Sequence, residues 1–353
     1  MADLQDLLKM KDSDDPETRG RAAVLLGSVS GTEAFSALVD MLSDSDQRVR
    51  VEAARSLGEQ GNPHAVEALR PLLEEDSIEM TCTVITAMSK IGGDRAFAPI
   101  VCRLFDVDDE IRKNAAAAIG ALHDPRAYEP LLMCLDDPVE WVRANGALSL
   151  GKIHCPEALP RLTEVVDSDD TPLVRANAVS GIGALALSAD SREVASDAFE
   201  YIISVLEDEE EDPKVRIAAM LVFGENFADA CGKDADAADM AFSDIYMLAG
   251  DEEDDDIRSS AIWSLGKVCS METVAKTGAP RQTVEKVSVL LRSSLDDEYD
   301  WCVRYAIEAL SDIGGTDCEE TIREFSDRCP DEYSDLCKSA LGRFENEGGD
   351  RSA

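Results

Sequence analysis

The sequence predicts an all-α fold: a right-handed α-solenoid of about nine helical hairpins closed by a C-terminal cap. Three observations carry this. One residue pattern recurs along the chain, and its apolar positions have helical rather than strand periodicity throughout. In addition, 44% of the 353 residues are apolar despite a formal charge of −39, enough to build a core that an acidic disordered chain would lack.

The recurring pattern is Asp, Ser or Thr, two residues, an aliphatic residue, Arg, two residues, a small residue, three residues, Leu or Ile, and Gly. It reads DQRVRVEAARSLG from Asp46, DDEIRKNAAAAIG from Asp108 and DDDIRSSAIWSLG from Asp254. With the aliphatic position numbered zero, the anchors are Thr18, Val49, Met80, Ile111, Val142, Val174, Val215, Ile257 and Val303. The first four steps are 31 residues, the next is 32, and the last three lengthen to 41, 42 and 46. Apolar or small residues at offsets 0, 4, 5, 7, 8 and 11 form a wide arc on a helix, which is the second helix of each hairpin. Offset −3 carries an oxygen-bearing side chain suited to capping the unpaired N–H groups of the first turn, with Val139 the exception. Between copies lies a shorter amphipathic stretch, such as AVEALRPLLEED from Ala65 or AYEPLLMCLDD from Ala127, which supplies the first helix. A hairpin of about 31 residues cannot bury both faces alone, so the repeats must stack and share a core. The expected organisation is one solenoid over 1–344, with regular repeats over 1–187, longer ones over 188–318, a cap over 319–344 and a disordered tail over 345–353.

From Asp14 to about Gly315 the pattern resembles the phycobilisome-lyase-type HEAT repeats, whose signature is similar to D-x-x-V-R-x-x-A-x-x-A-L-G-x-I-G. Thr81 replaces the motif arginine in the third repeat, and one residue is missing after Arg304 in the ninth. The resemblance implies a structural ladder for Arg19, Arg50, Arg112, Arg143, Arg175, Arg216, Arg258 and Arg304, each guanidinium pairing with a carboxylate at the inter-helix turn.

Asp (41) exceeds Glu (32), and Arg (23) exceeds Lys (11), a balance that resembles halophilic proteomes. Short carboxylates keep a surface hydrated when molar salt screens charge repulsion within about 3 Å. The expected habitat is therefore a haloarchaeal cytoplasm, with unfolding at low ionic strength. An acidic mesophile protein with charged tails fits less well, because the acids recur along the whole chain. No basic segment precedes an apolar one at MADLQDLLKM, and nowhere do about 18 apolar residues run together, so the expectation is a cytoplasmic protein that does not enter membranes. The ten cysteines are scattered singly without C-x-x-C and read mostly as core residues.

No nucleotide-binding loop or nucleophile elbow is present. Deoxyhypusine hydroxylase, an enzyme built from HEAT repeats, holds iron with His-Glu dipeptides; His64, His123 and His154 are the whole histidine content here and none precedes Glu. His123 and His154 share an offset in neighbouring repeats, with Cys155 beside the second; a metal site on that ridge is the alternative, and helix-terminal capping groups are the reading. Bilin lyases carry similar repeats, but a chromophore cleft needs more than 5% aromatic residues. Cys318, Cys329 and Cys337 match no zinc spacing. The acidic runs 207–212 and 251–256 read as solvated turns. The sequence thus predicts no catalytic residues, no metal and no cofactor.

Acid is scarce in one place. In HEAT-like proteins the second helices line the concave surface, so offsets 2, 3, 6 and 10 should face the groove. Over repeats one to eight these positions hold three acids and six bases. Leu148, Ile217, Leu221 and Trp263 are the candidate apolar anchors, and Lys113, Lys152 and Lys267 supply polarity. Asn114, Asn145 and Asn177 would bond a partner's backbone or form a ladder between adjacent repeats. The reading is a non-catalytic scaffold or adaptor that binds protein partners through its groove, with signalling such as taxis as the candidate pathway. Alternatives are a lyase-like or cofactor-handling HEAT protein, and nucleic-acid binding through the net-positive stripe. The overall charge argues against nucleic acid, and no motif points to a small-molecule substrate.

Overall fold

The structure is a computed structural model that describes residues 3–350, apart from 253 and 279–280, and leaves out the side chains of 251, 281 and 345–350. The described residues are helical, joined by short turns, with no strand among them. The chain divides into two compact units, Met1–Ala158 and Leu159–Ala353.

The first unit contains α1 (Leu4–Lys11), α2 (Pro16–Gly27), α3 (Thr32–Met41), α4 (Gln47–Gln60), α5 (Ala65–Leu69), α6 (Ile78–Ile91), α7 (Asp94–Arg103), α8 (Asp109–Gly120), α9 (Tyr128–Cys134) and α10 (Glu140–Lys152). The second contains α11 (Leu159–Ser168), α12 (Pro172–Ser188), α13 (Arg192–Glu207), α14 (Pro213–Lys233), α15 (Ala235–Asp251), α16 (Asp255–Val268), α17 (Met271–Thr277), α18 (Arg281–Ser294), α19 (Asp300–Ile313), α20 (Thr316–Ser326) and α21 (Asp331–Asp350). In the first unit the second helices α2, α4, α6, α8 and α10 pack in series; in the second unit α12, α14, α16, α19 and α21 do the same.

The helix starts follow the cap chemistry. Asp15, Asp46, Ser77, Asp108, Asp212 and Asp254 each accept a backbone N–H of the first turn through the side chain. Val139 caps α10 with no side-chain bond. At the ninth repeat the cap is Tyr299, and Asp300 is already helical, accepting from Arg304 Nε at 2.6 Å. The missing residue after Arg304 accompanies this changed start.

The motif glycine at offset 9 is required by contact between neighbouring second helices. A Cβ on Gly58 would lie 2.7 Å from the Ala87 Cα, and one on Gly266 would lie 2.5 Å from the Ala309 Cβ. Gly27, Gly120 and Gly224 face Ser56, Ser149 and Ser264 in the same way. The residue opposite is small at each of these five places, so the backbones approach closely where two repeats meet.

The long repeats place their extra residues in helices. Segment 188–195 ends α12 and starts α13, segment 231–239 joins α14 to α15, and the described part of 270–281 forms the added helix α17. Asp234 organises the middle insert by accepting the Ser196 hydroxyl at 2.6 Å and capping α15. Lys233 reaches back to the Ala189 carbonyl at 2.6 Å. Helix α21 runs to Asp350, into the segment expected as a disordered tail, whereas residues 351–353 lie outside the described residues.

Candidate partner-binding face

The turns that aim the second helices are built around the motif arginines. Arg19 grips both carboxylate oxygens of Asp44 at 2.6 and 2.8 Å. Arg112 does the same to Asp137 at 2.8 and 3.1 Å, and Arg258 to Asp297 at 3.0 and 3.1 Å. Arg175 holds Glu211 at 3.1 and 2.6 Å, Arg50 reaches Glu75 at 3.1 Å, and Arg216 approaches Glu252 at 3.6 Å. In each of these cases the acid belongs to the turn of the following repeat. Arg143 donates to the Asp137 carbonyl within its own turn, and Arg304 to Asp300. Where Thr81 replaces the arginine it is buried, and Asp106 of the next turn is taken instead by Arg103 at 3.2 Å.

The turn acid also accepts the backbone N–H two residues on, as Asp44 does from Asp46, Asp137 from Val139 and Asp297 from Tyr299. The Arg19 hydrogen bond holds the Asp44 carboxyl below the usual range. Burial pushes Asp137 and Asp297 up, but the Arg112 and Arg258 bonds together with the backbone N–H outweigh it, and both carboxyls end below their ordinary value. The acidic runs join this scheme: Glu211 and Glu252 face arginines, and Asp212 and Asp254 cap helices. Glu253 of the second run lies outside the described residues.

The acid-poor stripe is only half exposed. In the first compact unit Leu148, Lys113, Lys152, Asn114 and Asn145 are all half-buried, and in the second so are Ile217, Leu221, Trp263, Lys267 and Asn177. Four other stripe positions, Val51, Ala144, Ala218 and Ser259, are buried outright. Neighbouring helices cover offsets 2 and 3 there, which a single helical wheel does not reveal.

The asparagine row forms no ladder between repeats. Asn114, Asn145 and Asn177 each donate to the carbonyl four residues earlier in their own helix, at 2.8, 2.7 and 2.9 Å. A carboxamide used in this way keeps its carbonyl oxygen as an acceptor. The net-positive character is also tempered. Lys113 pairs with Glu110 at 2.6 Å, Lys90 with Glu59, Arg55 with Glu52 at 2.8 Å, and Lys267 with Asp312 at 2.8 Å. Lys267 also lies 5.6 Å from the centre of the Trp263 ring, close enough for a cation–π contact.

In the second unit the candidate anchors lie on α14 and α16. Leu221 and Trp263 occupy offset 6 on two packed second helices, with Ile217 one turn before Leu221. In the first unit the exposed Val24 and Leu25 line a shallow depression with Met10, Gly20, Arg21 and Glu52. Leu25 sits at offset 7, which in later repeats meets the glycine of the preceding one.

A family model described as HEAT repeats matches residues 4–81, 42–110 and 99–183, and together these segments cover half of the chain. The chain belongs to the HEAT-repeat family. No curated protein matches the sequence. Among solved structures, a superposition extends over 98% of this chain and 49% of a chain of the Kap95:Nup1 complex, at 14% identity and TM-score 0.56, so this chain spans about half of that one. That likeness concerns the all-α solenoid fold. Two others are the complex of CpcE and CpcF of phycocyanin lyase from Nostoc sp. PCC7120, at 20% identity, 69% of this chain, 95% of that chain and TM-score 0.44, and an engineered protein at 19% identity, 98% of both chains and TM-score 0.39.

Only five of the ten thiols lie in the core, four are half-buried and Cys102 is exposed, fewer core thiols than the sequence leads one to expect. Cys134, Cys269, Cys302, Cys318 and Cys337 are buried and all ten cysteines are free, and burial pushes the Cys134, Cys269 and Cys302 thiols up to about 12, away from nucleophilic use. No helix among the described residues is long and apolar enough to cross a membrane.

Proposed function

We propose that this HEAT-repeat chain is a non-catalytic scaffold or adaptor that binds a protein partner across the exposed faces of its second helices. The observation that carries the reading is the patch of Ile217, Leu221 and Trp263 on α14 and α16, large apolar groups left half exposed on a face almost without acid in a chain of net charge −39. Such groups anchor protein interfaces when a partner completes their burial. Leu148 would add an apolar anchor, and Lys113, Lys152, Lys267 and the asparagine carbonyls would supply the polar contacts. The motif arginines stay with the fold as its ladder. Nucleic acid is the weaker reading, because four of the stripe's six bases are engaged by carboxylates.

Domain use follows from this. The longer repeats over 188–318 would give the partner its specificity, and the regular repeats a platform. We further propose a haloarchaeal cytoplasm as the setting, and taxis signalling as the pathway to test first.

The experiment is capture from a high-salt lysate on immobilised chain, with mass-spectrometric identification, comparing the wild type with the Leu221→Asp, Trp263→Asp double variant. Helicity should be unchanged and capture lost. Equal capture by both proteins would refute the face. Dilute buffer in the same preparation should abolish helicity, and full stability there would refute the halophilic setting.

A further inference from the structure

His123 and His154 follow the second helices α8 and α10 at one shared offset. In the second and third repeats the same offset holds Gly61 and Gly92, with φ of 63° and 70°. Glycine reaches this left-handed region without steric cost. The two histidines make the same turn with φ of 50° and 58°, and they are the only non-glycine residues with positive φ among the described residues. A side chain there costs about 1 kcal/mol or more. The turn itself needs nothing that glycine does not provide, so the imidazoles are what these positions add.

The two rings lie 5.5 Å apart between centres. His123 Nδ1 is 2.7 Å from the Lys152 carbonyl oxygen. A carbonyl only accepts, so Nδ1 carries the proton and Nε2 keeps its lone pair. His123 therefore does cap the end of α10, and the same bond fixes its tautomer in the way a backbone carbonyl does for a metal-binding imidazole. The spacing agrees. A late transition metal sits about 2.0–2.1 Å from an imidazole nitrogen and hence about 3.2 Å from the ring centre, so two rings on one tetrahedral ion lie about 5.2 Å apart. Both residues are exposed, and an ion can reach them without opening the fold.

The neighbouring groups are committed elsewhere. Asp124 receives the Arg126 guanidinium at 2.9 and 3.0 Å, and the Cys155 thiol points to the Ile153 carbonyl at 3.8 Å. Among the described residues no three or more His, Cys, Asp or Glu gather to hold an ion, so the protein would give two ligands and water the rest. We propose that His123 and His154 form a two-imidazole surface site for a divalent late transition metal that takes tetrahedral coordination, zinc before others.

Zinc chloride titrated calorimetrically into the full chain tests this, in excess magnesium chloride to occupy carboxylates while leaving imidazoles free. One saturable site is expected, weakened about tenfold or more in His123→Asn and in His154→Asn. Asparagine tolerates the left-handed backbone, and far-UV circular dichroism checks that the fold is kept. Absence of binding to the wild type, or unchanged affinity in both variants, would overturn the site. A second measurement needs no variant. The chain has three histidines, and paramagnetic cobalt(II), which accepts a tetrahedral site, should shift and broaden the ring-proton resonances of His123 and His154 while sparing His64; equal effects on all three, or on none, also overturn it.

Discussion

The two compact units make the same turn with helices of different length. In the first, the second helices α2 to α10 have 12, 14, 14, 12 and 13 residues. In the second, α12 has 17 and α14 has 21, the latter with a non-helical residue at Asn226. The cap at offset −3, the arginine at offset 1 and the glycine at offset 9 recur in both. The shortest second helices, α2 and α8, end on the glycine itself, at Gly27 and Gly120, and in α12 and α14 the added residues come after Gly183 and Gly224. The register between repeats is therefore set over the stretch from cap to glycine, and the segment beyond the glycine is free to grow.

The hardest test of that conclusion is the glycine contact. Gly58→Val in the first unit and Gly266→Val in the second should each destabilise by about 3 kcal/mol, because the new side chain meets backbone as well as side-chain atoms of the facing helix. Gly232→Ala, with nothing within 4 Å, should be neutral or slightly stabilising. Urea midpoints decide this. A large loss at Gly58 with none at Gly266 would mean that the long repeats are held by something else.

The arginine clamp comes next. Arg112→Met and Arg258→Met should each cost about 1–2 kcal/mol at pH 7, since a half-buried carboxylate loses its charged partner. The pH dependence has a definite sign. With Asp44, Asp137 and Asp297 held below the ordinary carboxylate value, the folded chain binds fewer protons than the unfolded chain near pH 4. Their stabilisation is complete above about pH 4 and is lost as the pH falls through the folded values. Unfolding midpoints between pH 6 and pH 2 should fall on the acid side, and less steeply in Arg112→Met. Parallel acid limbs would show that Asp137 owes nothing to Arg112.

The smallest effect is expected at the caps. Val139→Asp should add about 0.5–1 kcal/mol by providing the acceptor that α10 lacks, whereas Asp254→Ala should lose about 1 kcal/mol. If Val139→Asp fails to stabilise, the proximity of Asp137 outweighs the cap, and the two units differ in their turns after all.

The hairpins, their caps and the glycine were legible because each depends on residues at fixed spacing within one repeat. What depends on the neighbouring repeat was harder to read. Val51 and Ala218 face outward on a wheel but are covered by an adjacent helix. Asn145 bonds the Trp141 carbonyl of its own helix, a choice that the spacing of asparagines in successive repeats does not reveal. The pairing of Lys90 with Glu59 had a sequence signal, since both occupy offset 10 of successive repeats, and that signal makes a positive groove less free than its composition implies. The histidine turns had one too: Gly61 and Gly92 at the same offset mark a left-handed position.

The clamp in which an arginine of one repeat grips the acid of the next has a consequence for how such chains grow. Each repeat offers a donor forward and an acceptor backward, so its two edges are complementary to each other. A duplicated repeat therefore arrives with both halves of a joint already made, and it can be spliced into the array without any compensating change in its neighbours. Lengthening of this kind needs only that the new copy keep its arginine and its turn acid, and a copy that lost one, as the third repeat did at Thr81, survives if a nearby arginine takes over the orphaned carboxylate.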